Sequence, residues 1–560
     1  MKKLFLLGVL FSLTVSVLKG QINMLHGKVS SQSGNTKEVL AGANLLWKGT
    51  QLGTISDVNG NFSLQRTPFT DTLVVSYISY QTLQIKVLPT QQGLNLHLTA
   101  GTEIEGATIS IRQKTTTVSH FDLIKSENLG EHELGKAACC NLSESFETTP
   151  NVDVSVTDAV TGTRQIQLLG LAGPYSLMTK ENIPDIRGLS AIFGMGFIPG
   201  TWIKSIQLIQ GTGSVANGFE SIAGQINTEL EKPQSTDKVL FNLYFNSELS
   251  SEMNLHFRLP ISKQWKSSWL IHAKYNFMKQ DQNHDGFVDM PLQKNMALMN
   301  RYEWENSRNL HFEFGGRLVV QNAQGGQMSF EKGQLIDTLH PWGMTQEIRK
   351  IDGWLKLGKV NKIKPWQSSA IQLAGGVFDL NSGYGLLTYQ GHQNNIYLNF
   401  IHLNRIVNEK NEIKAGFSFQ YDQYQEKLNS QNFSREEIVA GTYAEYTFKP
   451  TSKVGVVGGL RADYHNQYQW FYTGRLHVRY ELFKRTVLRA SVGNGLRTAN
   501  ILAEHQSVFA SSRSIIIHQD ESNYGYGLRP ERALNYGINL TQTFTLDYRE
   551  GRVSAAFYRT

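Results

Sequence analysis

The sequence has only two cysteines, and they are neighbours, Cys139 and Cys140. No disulfide framework can be built from them, even in an oxidising compartment. Charge is also sparse, at 18% of residues, and the net +7 is not gathered into any long basic run, which argues against a nucleic-acid partner. After Leu18 there is no apolar run of about 18 residues or more, so no later segment can cross a bilayer as a helix. Any further membrane span must be β. The chain lacks Gly-x-Ser-x-Gly, HExxH and a P-loop, so nothing nucleates an active site, and no catalysis and no required cofactor are expected. Its 560 residues are too many for a small stapled scaffold.

What the chain does contain begins with Lys2 and Lys3 ahead of the apolar stretch Leu4 to Leu18, which reads as a secretory signal peptide over 1–20. Residues 22–100 alternate apolar and polar side chains in short runs such as ANLLW and TLVVSYISY, broken by Gly, Asn and Asp clusters. That pattern predicts a small β-sandwich with Phe62 and Leu64 in its core and a hairpin turn at Asp57-Val58-Asn59-Gly60. Gly27, Val29, Gly42-Ala43, Gly49-Thr50, Gly53-Thr54, the run Asp57 to Phe62 and VSYISY together resemble the carboxypeptidase-D regulatory-like domain. The resemblance implies a non-catalytic docking module fused ahead of an outer-membrane receptor.

Residues 116–232 mix short strands, helical pieces and glycine loops, and read as a compact α+β unit. The segment Ile203 to Asn227 has a strand, turns at Gly211, Gly213 and Gly218, and then IAGQIN. It lacks the spacing of a phosphate-binding loop. It is similar to the end of the plug domain of TonB-dependent outer-membrane receptors, with looser likeness at Gln165 to Gly170 and Tyr175 to Pro184. In the linker 101–115, Glu103, Ile104, Glu105, Ala107, Thr108 and Ile109 resemble a TonB box, an extended segment that would add as a strand to a periplasmic partner. The same residues also read as the last strand of the sandwich or as plain linker.

From 235 to 560 the chain repeats segments of about ten residues with two-residue alternation, including NLHFEFGGRLVVQN, AIQLAGGVFDL and ALNYGINLTQTF. One face carries Leu, Val, Ile, Phe and Tyr, and the other carries Asn, Gln, His, Lys, Arg, Glu and Gly. Aromatics such as Trp265, Trp304, Trp470 and Tyr472 cluster near strand ends, as interfacial girdles do. The expected fold class is therefore mainly β: a sandwich, an α+β plug and a transmembrane antiparallel β-barrel. Plugged transporters have about 22 strands, whereas roughly 325 residues at roughly 22 to 25 each allow about 13 to 15. An incomplete barrel is expected, with its first and last strands unpaired and Tyr558 not paired near Leu240.

Two further sets of residues suggest ligand chemistry. Asp281, Asn283, Asp285 and Asp289, with Gly286, have the oxygen spacing of a calcium loop, although position 12 is Leu292 and strands flank it. An acidic solvated loop is the alternative. Cys139 and Cys140 fall where the plug family has an early helix and read either as small packing residues or, with Met178 and Met195, as a soft-metal relay for copper. The resemblance as a whole implies energised uptake of a scarce ligand, such as a siderophore, other metal chelate or copper, with TonB and its inner-membrane complex as partners and outer-membrane lipid as surroundings. A passive porin would need no plug, and an adhesin would need no TonB box.

Overall fold

The computed structural model describes residues 24–98, 116–118, 123–134, 141–546 and 549–560, apart from 34–35, 51, 69, 78–79, 81, 89, 92, 148, 158–159, 235–236, 248, 307–308, 334–339, 512, 514 and 518–523. Residues 1–20, read as a signal peptide, Glu103 to Ile109, read as a TonB box, and both cysteines lie outside the described residues. The chain divides into two compact units, the first holding residues 1–113 with 547–549 and the second holding 114–546 with 550–560.

In the first unit, Met24–Ser33 pairs with Thr36–Val39 and Asn61–Gln65 and, in parallel, with Gly93–Leu98. A second sheet runs in the order Gly53–Ile55, Asn44–Trp47, Thr72–Ser76, Leu83–Lys86. Period-two alternation puts Leu25, Val29, Leu45, Trp47, Phe62 and Leu64 into one core, with Phe62 and Leu64 on the face expected of them. The turn before Asn61–Gln65 is shaped by Asp57, whose Oδ1 accepts from the Asn59 and Asn61 N–H groups at 2.9 and 2.8 Å. Gly60 completes it at φ +76°, a conformation that side chains with a Cβ avoid.

The second unit contains two smaller sheets and one large one. A six-stranded sheet has the order Ile183–Ile186, Ser176–Lys180, Gly224–Leu230, Ile203–Gln210, Ser126–Gly130, Thr116–Val118. Ile203–Gln210 and Gly224–Leu230 pair antiparallel, so the glycine-punctuated segment read as a hairpin is one. Three short strands, Asp153–Val156, Arg164–Leu168 and Leu171–Ala172, form another sheet. Helix is scarcer than an α+β reading suggests. From Gly188 to Trp202 the chain makes only single 3-10 turns, because Gly188, Gly194, Gly196, Pro199 and Gly200 interrupt any longer helix.

The large sheet has 16 strands, one of them the two-residue Gln431–Asn432. Apart from that short strand its neighbours follow chain order from Val239–Phe245 to Arg549–Arg559, and the ladders from Val239–Phe245 to Glu531–Leu546 are antiparallel. It is open: among the described residues no ladder joins its first strand to its last. Along Leu387–Arg405, Ile396, Leu398 and Phe400 point away from the lumen, while Gln393 and Asn399 point inward and are buried. Registration carries this apolar belt across the sheet, for example through Phe417 opposite Phe400 and Ile538 opposite Ala490. Trp265 packs against Trp304 at 6.2 Å near one rim, and Tyr464 against Trp470 at 5.4 Å near the other. The first rim has short turns, such as 306–309 and 449–453, and the second has the long connections 277–291, 327–342 and 498–530.

Candidate functional site

The lumen of the sheet is filled by the smaller sheets, and charged side chains hold them there. The hairpin between Ser176–Lys180 and Ile183–Ile186 turns through Glu181 and Asn182 at φ +49° and +64°. Both residues are fixed from outside the turn. Asn182 N–H donates to Asn227 Oδ1 at 2.7 Å, and Glu181 receives Arg301 at 2.8 and 3.2 Å as well as Lys356. Arg301 extends the network to Glu313 at 2.8 Å, and Glu313 also accepts from Trp354 Nε1 at 2.8 Å. One turn further along the lumen, Arg317 bridges Asp185 and Asp352 at 2.5 and 2.9 Å, while Lys350 meets Asp185 at 3.3 Å. Lys180 closes the set, 3.1 Å from Asp352 and 3.9 Å above the Trp354 ring.

Burial by itself raises a carboxyl pKa, yet both plug carboxylates move the other way. The charges of Arg301 and Lys356 hold Glu181 well below the usual range despite burial, and those of Arg317, Lys350 and Lys180 do the same for Asp185. Burial dominates at Lys180, whose pKa falls in spite of Asp352. A second anchor joins Arg187 to Asp422 at 2.6 Å and to Glu220 at 3.1 Å. Buried pairs of this kind add little net stability but make separation costly, because pulling one partner away strands the other without hydration.

Toward the long-loop rim residues 500–510 fold back into the lumen. Phe509 packs against Tyr384 and Tyr389, with ring centres at 5.7 and 5.5 Å, and Gln506 accepts from the Tyr384 hydroxyl at 2.7 Å. Arg497 pins the segment to Glu504 at 2.6 Å and to Glu531 at 2.8 Å while lying 4.7 Å from the Tyr175 ring. Arg435 binds Glu426 and Glu437 and stacks on Tyr424 and Tyr526. Beside this lid opens a cleft of about 930 Å³, lined by His340, Trp342, Tyr384, Leu428, Gln431 and Arg513, with Val160 of the plug reaching into it. Its volume falls within the range of small-molecule sites, and its lining mixes Trp342 and Tyr384 with aliphatic and polar side chains.

A family model for the TonB dependent receptor-like β-barrel matches residues 261–560, more than half of the sequence. The chain belongs to the TonB-dependent receptors. A second model, for the CarboxypepD_reg-like domain, matches residues 25–109 of this receptor. A search of curated proteins finds no match. Among solved structures, this receptor is similar to FpvA of P. aeruginosa bound to a heterologous pyoverdine and iron. Identity is 13% and TM-score 0.61, over 79% of this chain and 63% of that one, so the chain spans under two thirds of that relative's length. It is also similar to the ferric yersiniabactin uptake receptor FyuA of Yersinia pestis, at 12% identity and TM-score 0.61 over 78% and 72% of the two chains. For the copper transporter OprC the values are 11% and 0.59, over 79% and 72%. At these identities the likeness is one of fold.

The residues picked out by sequence fall in different places. Met178 and Met195 are 4% and 1% exposed in the hydrophobic core of the plug and do not line the cleft, as befits apolar thioethers on a sheet face and in a glycine-flanked turn. Asp281, Asn283, Asp285 and Asp289 lie together at the long-loop rim. Their oxygens accept from the loop's own N–H groups, as with Gly286 to Asp281 at 2.9 Å, Phe287 to Asp285 at 2.8 Å and Gln282 to Asp289 at 2.7 Å. Among the described residues no three His, Cys, Asp or Glu side chains gather as a metal site. The residues that sequence reading missed are the lumen charges Arg301, Arg317 and Asp352 and the plug carboxylates Glu181 and Asp185. The barrel members stand on the inward face among other polar residues such as Asn295, Gln321 and Gln346, so alternation placed them in the lumen without singling them out.

Proposed function

We propose that this receptor lies in the outer membrane and takes up a scarce metal chelate of the siderophore kind, using energy delivered by TonB. The observation that carries this reading is the pairing of a ligand-sized cleft at the long-loop rim with a plug held beneath it by buried ion pairs. A lumen blocked in this way does not suit a passive porin. Opening it means separating Glu181 and Asp185 from their cations, which calls for work from outside the membrane. The siderophore class is supported by the ligand-sized cleft and by relatives solved with, or named for, ferric chelates. Copper is the second reading, supported by the likeness to OprC. Its proposed thioether ligands, Met178 and Met195, sit in the core, so the chelate reading is preferred. In this scheme Glu103 to Ile109 is the segment that pairs with TonB.

The test is uptake of radioactive iron, presented with a panel of purified siderophores, by cells with and without the gene. Loss of uptake of at least one chelate on deletion, and the same loss with Ile109→Pro while surface binding persists, is the expected result. Proline removes an N–H from a strand that must pair. Unchanged iron uptake from every chelate, with copper uptake lost instead, would transfer the reading to copper.

A further inference from the structure

The short-turn rim is basic. Its six turns from 261–264 to 484–485 each carry at least one Lys or Arg, and Glu409 is their only acid; the connection 547–548 adds Asp547. The connections 277–291, 327–342 and 498–530 of the other rim each hold more Asp and Glu than Lys and Arg. A barrel whose short turns face the periplasm thus offers positive charge to the periplasmic leaflet and not to the cell exterior. Where this charge meets the apolar belt, cross-strand register sets Trp265, Trp304, Phe312, Leu357, Ile371 and Phe400 side by side along the outward face. Two residues nearer the short turns, and so on the same face, Lys359, Ser369 and His402 stand opposite one another.

These three residues line an open cleft of about 510 Å³ together with Asn361, Lys362 and Gln367, and no Asp or Glu is among its lining residues. The turn that carries Lys362 is fixed: Asn361 Nδ2 donates to Gln367 Oε1 at 2.9 Å, and Asn361 Oδ1 accepts from the Ile363 and Lys364 N–H groups at 3.0 and 3.2 Å. Ser369 Oγ lies 2.8 Å from His402 Nδ1, and in the tautomer where Nδ1 accepts that hydroxyl, Nε2–H is left as a donor. Lys359 and Lys362 are exposed and, among the described residues, form no ion pair or hydrogen bond. Lys359 stands two residues past Leu357, so its stem can lie along the belt while its ammonium stays at the level of lipid headgroups. An inorganic anion would use these donors and leave the belt untouched. A molecule with a phosphate head and acyl chains uses both, and a head of net negative charge suits two unpaired lysines better than one that brings its own ammonium.

We propose that this cleft binds an anionic phospholipid of the periplasmic leaflet, of the phosphatidylglycerol kind, with Lys359, Lys362 and His402 on its phosphate and its acyl chains along Leu357, Ile371 and Phe400. The lipid ties the basic rim to the belt and so fixes the height of this wall in the bilayer. The inference rests on the outer-membrane placement proposed above.

The test uses the full chain, refolded into vesicles of phosphatidylcholine that contain a minor share of phosphatidylglycerol with the same acyl chains. The protein is withdrawn in mild detergent, and the lipid that stays with it is measured by mass spectrometry. Enrichment of phosphatidylglycerol over its share in the vesicles is expected. Lys359→Gln with Lys362→Gln should weaken that enrichment by roughly fivefold for each lysine, whereas Lys449→Gln with Lys453→Gln, which removes the same charge from another turn, should leave it unchanged. Heat-shifted mobility on a gel checks that each variant has inserted, and if the first pair does not insert, Lys362→Gln alone takes its place. The proposal is overturned by retention of the two lipids in proportion to the vesicles, or by enrichment that survives loss of the cleft lysines. Equal loss in both double variants would mean a diffuse basic rim and overturns it too, as does displacement of the lipid by inorganic phosphate at constant ionic strength, which would mean a free-anion site. A chain that does not insert into vesicles at all would remove the outer-membrane reading and this site with it, whereas insertion without enrichment removes the site alone.

Discussion

Arg301 of the barrel and Glu181 of the plug form a two-pronged ion pair, 2.8 and 3.2 Å long, in which the arginine side chain has no exposed surface. The carboxylate stands on a turn residue with positive φ, so the pair fixes both the tip of the plug hairpin and its depth in the lumen. Replacing Glu181 by Gln should leave Arg301 buried with one counter-charge fewer. We expect the plug to loosen by about 3–5 kcal/mol. A plug that becomes sensitive to protease while the barrel keeps its heat-shifted mobility is the expected readout, and unchanged protection would mean the pair carries no such burden. Arg301→Met combined with Glu181→Met should not restore the lost stability, since it leaves the buried Glu303 and Glu313 without their arginine.

The same pairs set an acid limit. Glu181 and Asp185 have folded pKa values held below their ordinary 4.5 and 3.8, so the folded state prefers them ionised. Their contribution is therefore complete above the ordinary values and is lost as pH falls below them toward the depressed folded values. Plug protection measured from pH 8 to pH 5 should be flat, with release beginning only below about pH 4. Release already under way near pH 6 would implicate a histidine instead.

Much of the fold is legible because alternation survives wherever a strand meets apolar surroundings on one side and polar ones on the other. AIQLAGGVFDL can be read as barrel wall without any structure. Strand length is less legible: Leu387–Arg405 runs to 19 residues, not about ten, because His392 to Asn395 extend beyond the apolar belt, where both faces are polar and the period vanishes. The plug's helical pieces between Gly188 and Trp202 are single turns, because glycines interrupt the chain there. The site was least legible. Glu181 and Asp185 reveal themselves only through partners more than a hundred residues away, and Met178 and Met195 attract attention by chemistry while packing decides their place.

Gly27 offers a test confined to the first unit. A Cβ there would stand 1.9 Å from the Leu94 carbonyl oxygen and 2.6 Å from the Phe62 ring, where two strands and a core aromatic converge. Gly27→Val should therefore unfold the sandwich, with a cost of several kcal/mol of the overpacking kind. Proteolysis should remove the N-terminal unit and leave the barrel intact. A sandwich that keeps its protection would show that the strands can part at this point.

The lid should control access to the cleft. Phe509→Ala removes a ring held by Tyr384 and Tyr389 and should cost about 3–5 kcal/mol of local packing, freeing the segment around Gln506. A cysteine placed at Ser511, on the lining of the cleft, should then be labelled by a membrane-impermeant thiol reagent on whole cells several-fold faster than in the unaltered lid. Equal rates would mean that Arg497 and Arg435 hold the segment without the ring.

The last test separates the two faces of the barrel. Ile396 is 47% exposed on the outward face at the long-loop edge of the belt, with Leu398 and Phe400 following on its own strand, whereas Asn399 is fully buried in the lumen. If the belt meets hydrocarbon, Ile396→Arg brings a guanidinium to the edge of the lipid at a cost of about 1 kcal/mol. The same residue placed inward at Asn399 would instead meet Tyr443, whose hydroxyl now donates to Asn399 Oδ1 at 2.9 Å, so its penalty would come from crowding and not from lipid. The two variants should therefore respond differently to bilayer thickness. Folding yield of Ile396→Arg should improve in short-chain lipid, where the belt lies nearer to water, and that of Asn399→Arg should not change. Equal behaviour of the two across lipids of different chain length would show that residue 396 does not face a membrane, and the outer-membrane assignment would fall with it.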